Sequence, residues 1–277
     1  MNAQRIIALF LCSLAAGTLA AAEPREGVNV GQPSAVRKLV PAEGLERQAS
    51  QEFSQLKQQA AARKALAPDD HPQTRRLRRI AGHLIPHAAR FNPRAQQWQW
   101  EVILIGAQQV NAFCMPGGKI AVFSGLLLGL DLNDDEAAAV MGHEIAHALR
   151  EHARERIAKT ELTRLGASLL SEFVGGGKYS GVISAGGQLM TLKFSRDDET
   201  EADTVGLELA ARAGYDPRAG VTLWKKMMAA NKGAPPQWLS THPSGRNRIE
   251  EIERRLPEVL PLYEKAKSQS RRDGTAQ

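Results

Sequence analysis

Two histidines four residues apart, with a glutamate directly after the first, are the residues best suited to chemistry in this chain. His143, Glu144 and His147 lie in a helix-favouring run from Asp134 to about Ile157, which Asn133 can cap. A spacing of four places both imidazoles on one helix face, one turn apart, so that they can bind one metal ion. The carboxylate of Glu144 lies beside that face, where it can accept a proton from water. This H-E-x-x-H pattern is typical of zinc metalloproteases, although a helix can also carry it by chance.

A third protein ligand is needed, because a catalytic zinc site combines three protein ligands with an open position for water. Another helix is predicted over residues 195 to about 213, and its first turns are acidic. Glu199 is the candidate ligand, and Glu201, on another side of the helix, is the alternative. Asp203 lies one turn after Glu199, where it can accept a hydrogen bond from a histidine ligand. Arg248, on a later helix, is a candidate partner for Asp203. Without a metal, the same acids would form a solvated helix start that the helix dipole favours.

The elements that must position these residues are indicated by apolar periodicity and turn residues. The predicted helices and strands are helices at 45–66, 74–90, 125–130, 162–173 and 182–194, and strands at 98–105, 110–113 and 119–123. This order predicts an α+β fold: a mostly helical domain with a small antiparallel sheet beside the zinc-binding helix. A free edge of that sheet can pair with an extended peptide. The glycine-rich loop at 175–181 is either a lid over the cleft or a linker.

The first residues have the features of an export signal. Arg5 precedes an apolar run over residues 6–19, and small residues at 20–22 provide a cleavage site. An uncleaved anchor is the alternative, but the run is short for a membrane span. Lipid attachment at Cys12 is disfavoured, because Leu11 stands where a small residue is required. These features predict a periplasmic protein, and membrane association is left open.

Composition and charge exclude several classes of function. The 277 residues are 43% hydrophobic and 24% charged, as in ordinary globular proteins. The formal net charge of +6 falls to +5 if residues 1–22 are removed, since Arg5 is their one charged side chain. Removal would leave Cys114 without a disulfide partner in the chain. No Gly-x-Ser-x-Gly elbow of a serine hydrolase occurs. Nucleic-acid binding is not expected of an exported protein with so modest a charge.

Four segments are expected. Residues 1–22 are the signal peptide, 23–70 an N-terminal extension with a helix, 71–262 the zinc metalloprotease domain, and 263–277 a flexible C-terminal tail. Within the extension, residues 23–45 are expected to be a mobile lead-in, because they are rich in proline, glycine and charge. Four arginines on the helix at 74–90 form either a solvated face or a contact with anionic lipid: Arg75, Arg76, Arg78 and Arg79.

The sequence also resembles a known family. His143-Glu144-x-x-His147, followed by Glu199-x-x-Ala202-Asp203, resembles the gluzincin zinc metalloproteases of the CAAX prenyl protease and HtpX. Three further motifs extend the match: Asn111-Ala112-Phe113, Pro116-Gly117-Gly118, and Thr241-His242-Pro243 with Arg248-Ile249. The resemblance covers about residues 75–256. It looks closest to soluble periplasmic members such as LoiP and BepA, and to mitochondrial inner-membrane relatives.

The resemblance implies roles for particular residues. Glu199 rather than Glu201 is implied to be the third zinc ligand, and Asn111 is implied to lie on the substrate-binding edge. Three roles stay open for His242: stabilising an oxyanion, acting as a fourth zinc ligand that shuts the resting enzyme, or packing. Two histidines and one carboxylate favour zinc over other divalent ions, so one Zn²⁺ per chain is expected.

These residues predict a zinc-dependent endopeptidase that cleaves unfolded or misassembled cell-envelope proteins. Glu144 is the expected general base, and His242 is the second candidate catalytic residue. The alternative is a chaperone-like binder of envelope proteins with a shut or structural zinc site. The free sheet edge and the basic surface are the features that motivate this alternative. Peripheral membrane contact is left open, and nucleic acid is not an expected partner.

Overall fold

The computed structural model describes residues 26–174, 189, 192–230, 237–243 and 247–275. The helices in this part of the chain are α1 (Ala42–Ala62), α2 (Pro72–Leu84), α3 (Ser124–Gly129), α4 (Asp134–Leu149), α5 (His152–Val174), α6 (Arg196–Arg212), α7 (Ala219–Ala230), α8 (Gln237–Thr241) and α9 (Arg248–Thr275). The strands are β1 (Glu101–Ile105), β2 (Ala112–Met115) and β3 (Lys119–Phe123). The predicted fold class, a mostly helical α+β domain with a small sheet, is confirmed.

The sheet has the order β1-β3-β2 and is mixed rather than antiparallel throughout. β2 and β3 are antiparallel, because the turn at Gly117 and Gly118 reverses the chain with φ values of 83° and 79°. β1 and β3 are parallel. The outer side of β1 is extended by an antiparallel bridge between Leu66 and Ile105. β2 therefore forms the opposite edge of the sheet, on the side of α4.

The N-terminal part is more closely packed than its composition suggests. Ala49, Phe53 and Ala60 of α1 are buried in a cluster with side chains of all three strands. The described part of the expected lead-in is also held in place: the backbone N–H of Val28 donates to the Glu208 carboxylate at 2.6 Å. The expected mobile lead-in is therefore wrong for residues 26–45, because polar contacts and buried apolar side chains such as Val28 hold this segment and α1 already begins at Ala42.

α4 is the central helix and is buried along almost its whole length. Its start is as predicted, since Asn133 and Glu136 form a reciprocal capping box. Its end is not, because α4 stops at Leu149 rather than continuing to about Ile157. Glu151 has a φ of 59°, in the left-handed region that ends a helix, and α5 then begins at His152. A glutamate gives little warning of that conformation, because left-handed residues are usually glycine or asparagine.

The structure also tests the predictions made for the C-terminal tail and for the arginines of α2. α9 continues to Thr275 with Leu262 and Tyr263 buried, so residues 263–275 are helical rather than a flexible tail. The loop at 175–181 and most of the helix expected at 182–194 lie outside the described residues. Three of the four arginines around α2 form ion pairs with aspartates: Arg76, Arg78 and Arg79. Among the described helices, none combines the length and the apolar character that crossing a membrane requires.

Candidate metal centre

Four buried side chains converge on one point between α4 and α6. His143 and His147 come from adjacent turns of α4, Glu199 comes from the first turn of α6, and His242 directly follows α8. One ligand atom from each lies within 4.8 Å of the others. All four residues are at most 3% exposed. The two histidines of the H-E-x-x-H pattern, the acid predicted downstream and the histidine of the later loop thus share one site.

The spacing of these atoms fits a tetrahedral zinc ion. Nε2 of His143 lies 3.0 Å from Nε2 of His147, 3.6 Å from Oε2 of Glu199 and 3.3 Å from Nδ1 of His242. Zinc bonds of about 2.0–2.1 Å at tetrahedral angles put neighbouring ligand atoms about 3.3–3.4 Å apart. Three imidazole nitrogens and a carboxylate oxygen are also donors that zinc accepts. The donor set and the geometry therefore both suit this metal.

The helices α4 and α6 meet backbone to backbone, and this crossing brings the acids to the histidines. A Cβ added to Gly206 would lie 2.8 Å from the backbone nitrogen of His143, and one added to Gly142 would lie 2.9 Å from the carbonyl oxygen of Gly206. Glu199, Asp203 and Gly206 lie on one face of α6, because they are four and three residues apart. The two glycines thus set the depth at which Glu199 and Asp203 enter the site.

His143 is held from behind by an acid and an arginine. Its Nδ1 lies 2.9 Å from Oδ1 of Asp203, and Arg248 donates to both oxygens of Asp203 at 2.6 and 2.7 Å. Arg248 also donates to Glu199 at 2.6 Å. Burial alone would raise the pKa of Asp203, but the charge of Arg248 and the hydrogen bond with His143 hold that pKa below its usual value. The ionised acid therefore accepts from His143, which leaves Nε2 free to bind a metal.

His147 is held by a longer chain of residues. Its Nδ1 lies 2.9 Å from Nδ1 of His152, and Nε2 of His152 lies 2.9 Å from Oε2 of Glu201. Arg150 forms an ion pair with the other oxygen of Glu201. The ring of Phe194 stacks on His147 with centroids 3.9 Å apart. Burial and the adjacent His143 lower the pKa of His147 well below its usual value, which keeps the ring neutral.

The candidate general base has a fixed orientation. Oε1 of Glu144 accepts a hydrogen bond from the indole nitrogen of Trp238 at 2.6 Å, and Nε2 of His242 lies 3.7 Å from the same oxygen. Trp238 and His242 stack with centroids 4.8 Å apart. Burial would lower the pKa of His242, but the carboxylates of Glu144 and Glu199 raise it above the usual value. His242 thus lies between the two acids of the site.

Asn111 lies directly before the edge strand β2. Its carbonyl oxygen accepts from the backbone N–H of Phe123 at 3.1 Å, and the neighbouring Val110 carbonyl accepts from the N–H of Trp238 at 3.2 Å. The side of the sheet expected to bind substrate is therefore attached to the short helix that carries Trp238. Asn111 itself is 8% exposed.

Sequence reasoning did not find His152 or Trp238. Five helical residues correspond to a rotation of about 140°, so a continuous helix would point His152 away from His147. The break at Glu151 brings them together, and the sequence carried no clear sign of it. Trp238 had one signal, since it precedes His242 by four residues and so lies one helical turn before it. Glu201, the rejected alternative ligand, takes part in the site through His152.

Comparison with known proteins identifies relatives for most of this chain. A family model described as peptidase family M48 matches residues 71–256. Mitochondrial metalloendopeptidase OMA1 of Arabidopsis thaliana is 40% identical over 166 residues, which are 59% of this chain and 33% of that protein. The protein of the same name from Schizosaccharomyces pombe is 37% identical over 197 residues, 70% of this chain and 56% of that protein. The beta-barrel assembly-enhancing protease of Escherichia coli is 27% identical over 201 residues, 68% and 40% of the two chains. The chain thus spans about one third to somewhat over half of these relatives.

The matches correct two expectations. A closest similarity to periplasmic LoiP- and BepA-like members is not confirmed, because the two OMA1 proteins are more similar to this chain than the bacterial assembly protease is. The expected periplasmic location is contradicted by the same matches, since the more similar relatives are mitochondrial. The expectation rested on residues 1–22, which lie outside the described residues. A basic residue before an apolar run indicates a targeting segment but does not identify the membrane.

Proposed function

The chain belongs to peptidase family M48, and on that premise we propose that it is a zinc-dependent endopeptidase. The observation that carries the proposal is the convergence of His143, His147 and Glu199 at spacings suited to one zinc ion, with Glu144 beside them. The printed names of the relatives, metalloendopeptidase and protease, support the same reaction. We assign His143, His147 and Glu199 as the zinc ligands, with one ion per chain.

Zinc held by these ligands would supply Lewis acidity toward a water and the scissile carbonyl. Glu144 is the group that takes the proton of the attacking water and passes it to the leaving amine. Trp238 donates to one carboxylate oxygen of Glu144, which leaves the other oxygen to exchange the proton. Asp203 and Arg248 keep His143 in the tautomer that presents Nε2.

The substrate we propose is an extended, locally unfolded segment of a protein. β2 is an edge strand that follows Asn111, and pairing with such an edge requires a partner whose backbone is free. A folded domain rarely offers a free backbone of that kind, so unfolded or misassembled proteins are the fitting class. The origin of such proteins in a cell envelope stays a prediction, as does contact with a membrane surface.

The position of His242 is the basis for a second candidate function, a binder of unfolded chains with a shut metal site. Nδ1 of His242 lies 3.3 Å from Nε2 of His143 and 3.0 Å from Oε1 of Glu199, so His242 would complete a set of four ligands around a metal ion. We propose that it is a fourth ligand in the resting protein, and that it must leave before water can enter. A protein in which it never left would be a binder of unfolded chains with a shut site.

A comparison of Glu144→Gln with the wild type tests the proposal. We expect both proteins to retain one zinc per chain by elemental analysis, because Glu144 does not bind the metal. Cleavage of fluorescently labelled casein should fall by about 10²–10⁴-fold in the variant, the usual contribution of a general base. Cleavage at the wild-type rate by Glu144→Gln would contradict the assignment.

The same assay with His242→Ala separates the two candidate functions. If His242 shuts the site, its removal should retain zinc and increase casein cleavage. A protein that suppresses aggregation of an unfolded client but never cuts it, with zinc present and His242 replaced, would be a binder rather than a peptidase.

A further inference from the structure

We propose that His152 and Glu201 are positioning residues that fix His147 as a zinc ligand through its Nε2 atom. This inference rests on the metal site of the proposed function, and it concerns two residues that have no place in the H-E-x-x-H pattern. His143 has an acid directly behind it, at 2.9 Å. His147 has instead an imidazole at 2.9 Å, and the acid lies behind that imidazole.

The hydrogen bonds that link His147, His152 and Glu201 can run in one direction only, with each residue donating to the next. A neutral His147 that binds a metal through Nε2 must carry its proton on Nδ1. That N–H points at Nδ1 of His152, which must therefore accept. His152 then carries its own proton on Nε2 and donates it to the carboxylate of Glu201. Both rings are thus restricted to one tautomer, and the acid polarises His147 through His152.

Arg150 holds Glu201, the last residue of this hydrogen-bonded series, in one orientation. It pairs with Oε1 of Glu201, while Oε2 of Glu201 faces His152. Arginine has donors only, so it demands an acceptor at Oε1 and keeps the carboxylate from turning. Arg150 directly follows α4 and His152 begins α5, so the break between the two helices places both residues beside Glu201.

Replacing Glu201 with glutamine makes the proposal testable, because glutamine keeps the shape but changes one acceptor into a donor. Arg150 still requires the amide oxygen on its side, which turns the NH₂ group of the glutamine toward His152. His152 must then accept at Nε2 and carry its proton on Nδ1. Two N–H groups would face each other between His152 and His147, so binding of zinc through Nε2 of His147 would be opposed.

Zinc affinity and ring tautomer are the readouts. In competition with a chromophoric chelator we expect Glu201→Gln to bind zinc about 10- to 100-fold more weakly than the wild type, the usual effect of losing such a partner. Long-range ¹H–¹⁵N spectra of the zinc-loaded protein should show the proton of His152 on Nε2 in the wild type and on Nδ1 in the variant. The matched control is Glu161→Gln, because the Glu161 side chain is as exposed as that of Glu201, 26%, and lies outside the site.

The unfolding temperature of the metal-free proteins separates positioning from structure. We expect Glu201→Gln and Glu161→Gln to unfold within a few degrees of each other in EDTA, while their zinc affinities differ. Equal zinc affinity with an unchanged His152 tautomer would overturn the proposal. Since no readout involves peptide cleavage, an inactive but tightly zinc-binding wild type would contradict the proposed function alone.

A pair of substitutions at His152 covers the case in which Glu201→Gln does not fold. His152→Asn places an amide oxygen near the position of Nδ1, where it can still accept from His147. His152→Phe fills the space but accepts nothing. We expect the asparagine variant to bind zinc more tightly than the phenylalanine variant. Wild-type zinc affinity in His152→Phe would show that His147 needs no partner at this position.

Discussion

At the scale of single residues, Arg248 does the most to hold the site. It donates to both oxygens of Asp203 and to Glu199, and its guanidinium lies 3.8 Å from the ring centroid of Trp224. Burial would lower the pKa of Arg248, but the two carboxylates raise it, so the charge is retained. One planar group thus fixes both Glu199, the proposed third metal ligand, and Asp203, the acid behind His143.

Arg248→Lys should therefore be far from conservative. Lysine keeps the charge but cannot hold both carboxylates with a planar fork. We expect a loss of about 1–3 kcal/mol in the free energy of unfolding, measured with urea, and weaker zinc binding. Arg254→Lys is the control, because that side chain is 72% exposed on the same helix. Equal stability and zinc affinity in the two variants would contradict the role given to Arg248.

Residue spacing predicted the candidate site residues that lie close together within one helix. It predicted fewer of the residues that other parts of the fold bring to the site. His143 and His147 follow from one helical turn, and the family resemblance implied Glu199 as the third ligand, which the structure brings to them. His152 is also close in sequence, yet only an unusual backbone at Glu151 turns it toward His147. Local spacing predicts contacts within regular elements, but it fails where an element ends unexpectedly.

At the scale of elements, the crossing of α4 and α6 governs the site. The two helices touch at Gly142 and Gly206, which are 64 positions apart in the sequence. The residue pattern within either helix alone does not reveal this contact. The predicted bounds of α6 agree with the structure, because Ser195 caps it in a capping box. The sheet was predicted less well, since the pairing partner and direction of a short strand depend on the whole fold.

Gly206→Ala should disrupt the crossing. The added Cβ would meet the backbone of α4 at 2.8 Å, and backbone cannot turn aside as a flexible side chain can. We expect a loss of about 1–3 kcal/mol in the free energy of unfolding and weaker zinc binding, because Glu199 and Asp203 would move with α6.

Gly82→Ala is the matched control for this change. Gly82 also lies in a helix, but a Cβ there meets nothing within 4 Å. We expect Gly82→Ala to be neutral or slightly stabilising, because alanine has the better helix propensity. If Gly206→Ala were tolerated equally well, the close approach of the two helices would not matter for the site.

At the scale of the whole molecule, the N-terminal segment closes the back of the metalloprotease core. Val28 reaches Glu208 of α6, where Arg90 and Arg212 also bind the fully buried carboxylate. Arg37 pairs with Glu151 at 2.6 Å, at the break that ends α4. The division between an extension at 23–70 and a domain at 71–262 stays a prediction, but residues of the extension contact α6 and the break that follows α4.

Removing the chain before Pro41 should therefore weaken the fold. Glu208 and Glu151 would each lose a partner, at a cost of about 2 kcal/mol together. We expect the unfolding temperature, measured by circular dichroism, to fall by about 4–8 °C relative to a chain that begins at Glu26. Equal unfolding temperatures would mean that residues 26–40 contribute nothing to stability.

On the outer side of β1, Ile105 at the end of the strand already pairs with Leu66. A substrate segment that paired with the opposite edge would lie beside β2, whose four residues span about 13 Å of backbone. So short a contact would select neither the ends of the substrate nor its overall length. Digestion of a single unfolded chain should then give pieces of scattered length rather than a ladder that shortens from one terminus.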